Sequence, residues 1–135
     1  MRKMFFALVV AASGVLVVSS PAQAHHGNAS LDTDKVLTLK GTVTEWVWSN
    51  PHCFLKFEVK DGKGAVTLWV VETQNPVSIS KDGWSRRSFT PGDEVTVTLQ
   101  PVKNGSPIGL VRSVVLANGD VLRSGADAPV RTQSP

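Results

Sequence analysis

Asn75-Pro76-Val77-Ser78-Ile79-Ser80-Lys81-Asp82-Gly83 is the stretch on which the fold turns. An asparagine side chain caps a helix N-terminus well, and proline suits the first helical position because its φ is already helical and its missing N–H had no partner there. Asp82-Gly83 supplies residues that end a helix. The expectation is one short helix, held to a larger body by Val77 and Trp84. On either side of it the chain has the two-residue alternation of strands.

Upstream, residues 36–48 are rich in Val, Thr, Leu and Trp and are interrupted only by Gly41, which predicts a long strand bent or bulged at the glycine. Residues 53–60 alternate cleanly. Cys53, Leu55, Phe57 and Val59 share one face, and Phe54, Lys56, Glu58 and Lys60 share the other. Asp61-Gly62-Lys63-Gly64 is a hairpin turn leading to a third strand at 65–72. Downstream of the helix, Thr90-Pro91-Gly92-Asp93 turns the chain into a strand at 94–102. Lys103-Asn104-Gly105-Ser106-Pro107 leads to another at 108–117, and Asn118-Gly119 reverses it into a short run at 120–122. Three strands, a short helix and two more strands is the order of a five-stranded OB-like Greek-key barrel, an all-β class with its helix between strands 3 and 4. A small open β-sandwich is the competing architecture. The mid-strand glycine, at which the first strand can turn a barrel corner, favours closure.

The ends of the chain read differently. Arg2 and Lys3, the apolar run at 4–18 and the small-x-small triplet Ala22-Gln23-Ala24 predict a secretory signal peptide over residues 1–24. Cleavage after Ala24 is preferred to cleavage after Ala22. Residues 25–35 are polar and aperiodic, a lead-in arm before a barrel domain at 36–123, and residues 124–135 have the composition of a disordered tail. Charge follows from the leader: of 14 basic and 11 acidic residues, losing Arg2 and Lys3 leaves 12 against 11. A nearly neutral exported domain lacks the basic surface that nucleic acid demands, and without its leader nothing predicts a membrane association. About 110 residues suffice for one modest core. Periplasmic localisation is the expectation.

The chemistry-bearing residues gather in Glu45-Trp46-Val47-Trp48-Ser49-Asn50-Pro51-His52-Cys53, which holds two of four tryptophans, one of three histidines and the only cysteine. A single cysteine forms no internal disulfide, so Cys53 is a buried thiol, an intermolecular bridge or a ligand, and its alternation with Leu55 and Phe57 favours burial. Together with Ala24-His25-His26, Gly41-Thr42-Val43, Gly83-Trp84, Pro91-Gly92-Asp93-x-Val95 and Arg112-Ser113-Val114, the Trp48-x-Asn50-Pro51-His52 element resembles a family of small exported bacterial proteins of unknown function. The resemblance implies an OB-like barrel in the periplasm and brings no activity, substrate or cofactor with it. Gly27-Asn28-Ala29 departs from the serine and aromatic residue common in that family.

A histidine at a free N-terminus chelates a metal through its α-amine and imidazole together, and His25, His26 and His52 offer nitrogen donors of the kind that suits copper, zinc or nickel. If cleavage follows Ala22, His25 stands third, where amine, two amides and imidazole bind copper(II). The competing reading is a solvated terminus and a turn histidine. Trp46 and Trp48 are candidates to stack on a small ligand, against a plain core role. Arg86-Arg87 could grip an anion or simply be solvated, and Glu45 and Glu72 could form a carboxylate pair. With no nucleophile motif, no His-Glu-x-x-His and no phosphate-binding glycine loop, the chain reads as a non-enzymatic binding or accessory domain, its partner a metal, a small ligand or an envelope protein. The alternatives are a small copper enzyme built on the terminal histidine and a ligand-free structural envelope protein.

Overall fold

A computed structural model of the protein describes residues 31–125. The leader at 1–24, the arm residues 25–30 with His25 and His26, and residues 126–135 of the tail lie outside the described residues. The elements in chain order are β1 (Leu37–Val47), β2 (Phe54–Lys60), β3 (Val66–Glu72), α1 (Pro76–Ser80), β4 (Glu94–Pro101), β5 (Ile108–Leu116) and β6 (Val121–Arg123). The strands lie in the order β3-β2-β1-β4-β5-β6, and a parallel pairing of β3 with β5 joins the sheet to itself. Val70, Val71 and Glu72 oppose Ile108, Gly109 and Leu110 at that seam. Five strands therefore close into a barrel with the helix between β3 and β4, the OB-like arrangement. β6 extends β5 beyond the closure, through Ser113, Val114 and Val115.

Closure demands a strongly bent β1, since its first half pairs with β4 and its second half with β2. Two devices share that work. At Gly41 the backbones approach so closely that a Cβ would lie 2.4 Å from the carbonyl oxygen of Glu58 and 2.8 Å from the Phe57 ring. The bulge itself comes later, between Val43 and Glu45. The glycine expected to bend or bulge the strand thus serves close approach, while an extra residue re-aims it three positions on.

The barrel interior is lined by Val43, Cys53, Leu55, Phe57, Val71, Val95, Val97, Leu99, Val111 and Val114, all buried. Alternation put the β2 members there. The helix end of the barrel is closed by Trp84, as expected, but with Ile79 in place of Val77. Ile79 and Trp84 are buried, whereas Val77 is 69% exposed. A single helical turn has one inward face, and Val77, two residues before Ile79, lies about 200° round from it. Asn75 caps as anticipated, its side chain accepting from the Ser78 N–H at 2.9 Å.

Both ends of the barrel hold more chain than periodicity indicated. Leu31 bridges Val102, and the Asp32 N–H donates to the Pro101 carbonyl at 2.8 Å. The Gln100 side-chain amide reaches the Thr33 carbonyl at 3.3 Å. At the other terminus Ser124, assigned to the tail, is 2% exposed and donates its N–H to the Arg112 carbonyl. Except for the Gln100 amide, the groups making these attachments are backbone ones, to which side-chain alternation is blind.

Candidate functional site

The Asn-Pro-His turn joins β1 to β2 at the end of the barrel where β3 also finishes. The Asn50–Pro51 peptide is cis. Ser49 braces the turn from inside, its hydroxyl donating to the His52 carbonyl at 3.1 Å. Immediately afterwards the Cys53 N–H donates to the Gln74 carbonyl, and the Thr73 N–H donates to the Cys53 carbonyl. The backbone on either side of the histidine is thereby pinned.

Side-chain direction follows from that pinning. Cys53 points into the core and is fully buried, its thiol 3.7 Å from the Ser49 carbonyl. Burial pushes the Cys53 thiol above its ordinary pKa, against smaller opposing effects of that hydrogen bond and of the Arg86 charge. A protonated, enclosed thiol is a poor nucleophile and a poor ligand. His52, one residue earlier, points outward with its side chain 40% exposed, and its Nδ1 lies against Oε1 of Glu72. That nitrogen is itself shielded from solvent.

The sequence offers Glu72 only as half of a carboxylate pair with Glu45, and the two are not together. Glu45 takes the Lys56 ammonium at 2.6 Å, while Lys56 stands between Glu45 on β1 and Val70 on β3. The nearness of Glu72 to His52, though not the contact itself, follows from the hairpin register. A hairpin that pairs Lys60 with Val66 necessarily brings Phe54 opposite Glu72, and the histidine lies two residues before Phe54. Around the outside of the barrel the same row continues from Glu72 to Leu110 and then to Gln100. Gln100 accepts from the Arg112 guanidinium at 3.3 Å and donates to Thr33 in the lead-in.

The tryptophans gather at the helix end. Trp46 is a hub whose ring centre lies 5.8 Å from Trp48, 5.8 Å from Trp84 and 5.1 Å from Phe89. Its indole N–H donates to the Ser85 carbonyl at 3.0 Å. Those bonds give Trp46 a structural task, joining β1 to the segment after the helix. Trp48 packs on one side of this cluster and remains half-buried. Arg86 and Arg87 are exposed.

Among the described residues no three of His, Cys, Asp and Glu stand together as a metal cluster. His52 with Glu72 is the nearest approach to one, and His25 and His26 lie outside the described residues. Nor is any helix of the described residues long and apolar enough to cross a membrane.

A closed OB-like barrel carrying an outward histidine–carboxylate pair at the turn between its first two strands defines the class of this domain. The chain belongs to a family of unknown function, DUF6152, whose model matches residues 11–112 and so takes in the Asn-Pro-His turn, α1 and most of β5. No curated protein matches the chain, and no solved structure does.

Proposed function

We propose that the protein is an exported, periplasmic, non-enzymatic binding domain that takes copper(II) through the histidines of its processed N-terminus, His25 and His26, together with His52. The observation that carries the reading is the anchoring of the lead-in. Leu31 is bridged to Val102 at the end of β4, one interstrand step away, and the row from Gln100 through Leu110 and Glu72 to Phe54 adds three more. At the usual strand spacing the four steps amount to about 19 Å. Six Cα-to-Cα steps lead from Leu31 back to His25, and extended chain of that length spans up to about 21 Å. An arm anchored there is long enough to bring its histidines to the turn.

Donor chemistry supports the same conclusion. Imidazole and amine nitrogens suit copper, a terminal amine followed by histidine needs no prior fold to chelate it, and a third imidazole on a rigid barrel would convert a loose peptide complex into a defined site. The non-enzymatic part of the proposal rests on what surrounds His52. Beside it stand the Glu72 carboxylate, the buried Cys53 thiol, and the Ser49 hydroxyl, which is engaged by the His52 carbonyl, a holding arrangement rather than a nucleophile with its base.

The test is copper(II) titration by calorimetry and electron paramagnetic resonance on protein whose mature N-terminus has been established by mass spectrometry, alongside His52→Ala. One-to-one binding that weakens at least tenfold in His52→Ala is the expected result. Equal binding by both would show that the terminus chelates alone, and no binding would end the metal reading.

A further inference from the structure

We propose that Glu72 is a positioning residue for His52, holding the imidazole in the tautomer with its proton on Nδ1 so that Nε2 is the nitrogen that coordinates metal; the proposal rests on the copper reading above. The contact that carries it is the pairing of His52 Nδ1 with Glu72 Oε1. A carboxylate offers only acceptor atoms, so the imidazole nitrogen facing it must bear the proton in the neutral ring. The ring's electron pair then lies on Nε2, at the opposite edge from the shielded Nδ1.

Rigidity makes the pair more than a chance surface contact. Glu72 is the last residue of β3 and is paired on both sides, to Phe54 of β2 and to Leu110 of β5. On the histidine side, the Ser49 hydroxyl on the His52 carbonyl and the buried Cys53 next in sequence fix the backbone from which the ring extends. With both backbones fixed, the carboxylate sets the orientation of the ring. Histidines that bind metal commonly give their second N–H to a carboxylate or carbonyl in this way, which fixes the tautomer and raises the basicity of the ligating nitrogen. Among the other ionisable groups, Glu45 and Lys56 satisfy each other, the Cys53 thiol faces inward, and the Arg86 charge acts on that thiol.

Two variants separate orientation from charge. Glu72→Gln keeps a side-chain oxygen able to accept from Nδ1 and removes the charge, whereas Glu72→Ala removes both. Nitrogen-15 NMR of His52 in metal-free protein with its mature terminus is expected to show the proton on Nδ1 in the parent and in Glu72→Gln, and its loss from Nδ1 in Glu72→Ala. Copper(II) titration of the same samples is expected to weaken roughly 10–100-fold in Glu72→Ala with unchanged one-to-one stoichiometry and unchanged melting temperature. Glu72→Gln should fall between Ala and parent. A proton on Nε2 in the parent overturns the proposal. So does Glu72→Ala binding copper like the parent while His52→Ala binds it weakly, a result that leaves the copper reading standing. If parent and His52→Ala bind alike, the copper reading itself has failed and the proposal falls with it.

Discussion

Gly41 and Glu58 meet where β1 bends across β2, with so little room that a Cβ on the glycine would stand 2.4 Å from the glutamate's carbonyl oxygen. Backbone of a neighbouring strand cannot yield as a flexible side chain would. Gly41→Ala is therefore expected to destabilise the domain by about 2–3 kcal/mol, the usual cost of forcing atoms into a filled space. Gly62, in the β2–β3 hairpin, has open space around its missing Cβ, and Gly62→Ala should change stability by less than about 0.5 kcal/mol. Urea unfolding of both variants checks the contrast. Equal effects would mean that β1 can shift away from β2.

Trp84 fills the helix end of the core at 2% exposure, and its indole N–H donates to the Arg123 carbonyl at 2.7 Å. Trp84→Phe removes part of the packing and leaves that carbonyl without its donor, so a loss of about 2–4 kcal/mol is expected. Trp48→Phe, at the half-buried side of the cluster, should cost about 1 kcal/mol or less. Denaturant unfolding followed by circular dichroism ranks the two, and the reverse order would refute this account of the cluster.

Thr73 is 2% exposed, and its hydroxyl oxygen is buried with no hydrogen-bond partner among the described residues. A hydroxyl in that position has been removed from water without compensation. Thr73→Val, nearly the same shape, is expected to be neutral or to stabilise by up to about 1 kcal/mol. A loss of more than that in thermal or urea unfolding would show that the hydroxyl is satisfied, for instance by an enclosed water.

The Cys53 thiol has its pKa raised in the folded state, chiefly by burial. The unfolded chain then releases the thiol proton at lower pH than the folded one, so unfolding is favoured progressively as pH rises above the ordinary cysteine value. The contribution is fully present below that value and lost above it. Comparing the parent with Cys53→Ala between pH 7 and pH 10, the parent should lose stability faster toward the alkaline end. In the native parent at pH 8 a thiol reagent should react only as fast as the protein unfolds. Parallel pH curves, or rapid labelling of the native state, would contradict an enclosed thiol.

Much of this architecture was legible because strands and turns announce themselves locally. Alternation from Cys53 to Val59 assigned the inward face of β2 correctly at Cys53, Leu55 and Phe57, and an asparagine followed by proline marked the start of α1. What escaped depended on neighbours far along the chain. Val77 and Ile79 have the same apolar character, and only the angle at which one helical turn meets the barrel decides which is buried. Similarly, nothing local distinguishes a bend at Gly41 from a close approach there followed by a bulge.

The candidate site divides along the same line. By itself the sequence determined the order of strands along the chain, the short helix between β3 and β4, and the inward Cys53, because each follows from residue type and short-range period. Only the tertiary structure decided that Glu72 faces His52, that Glu45 does not face Glu72, and that Trp46 is occupied by Ser85, Trp84 and Phe89. It also decided that the lead-in is tied down from Leu31 onward. Those relations are set by interstrand register and by the stagger with which a sheet closes on itself, and closure couples residues that no local pattern connects.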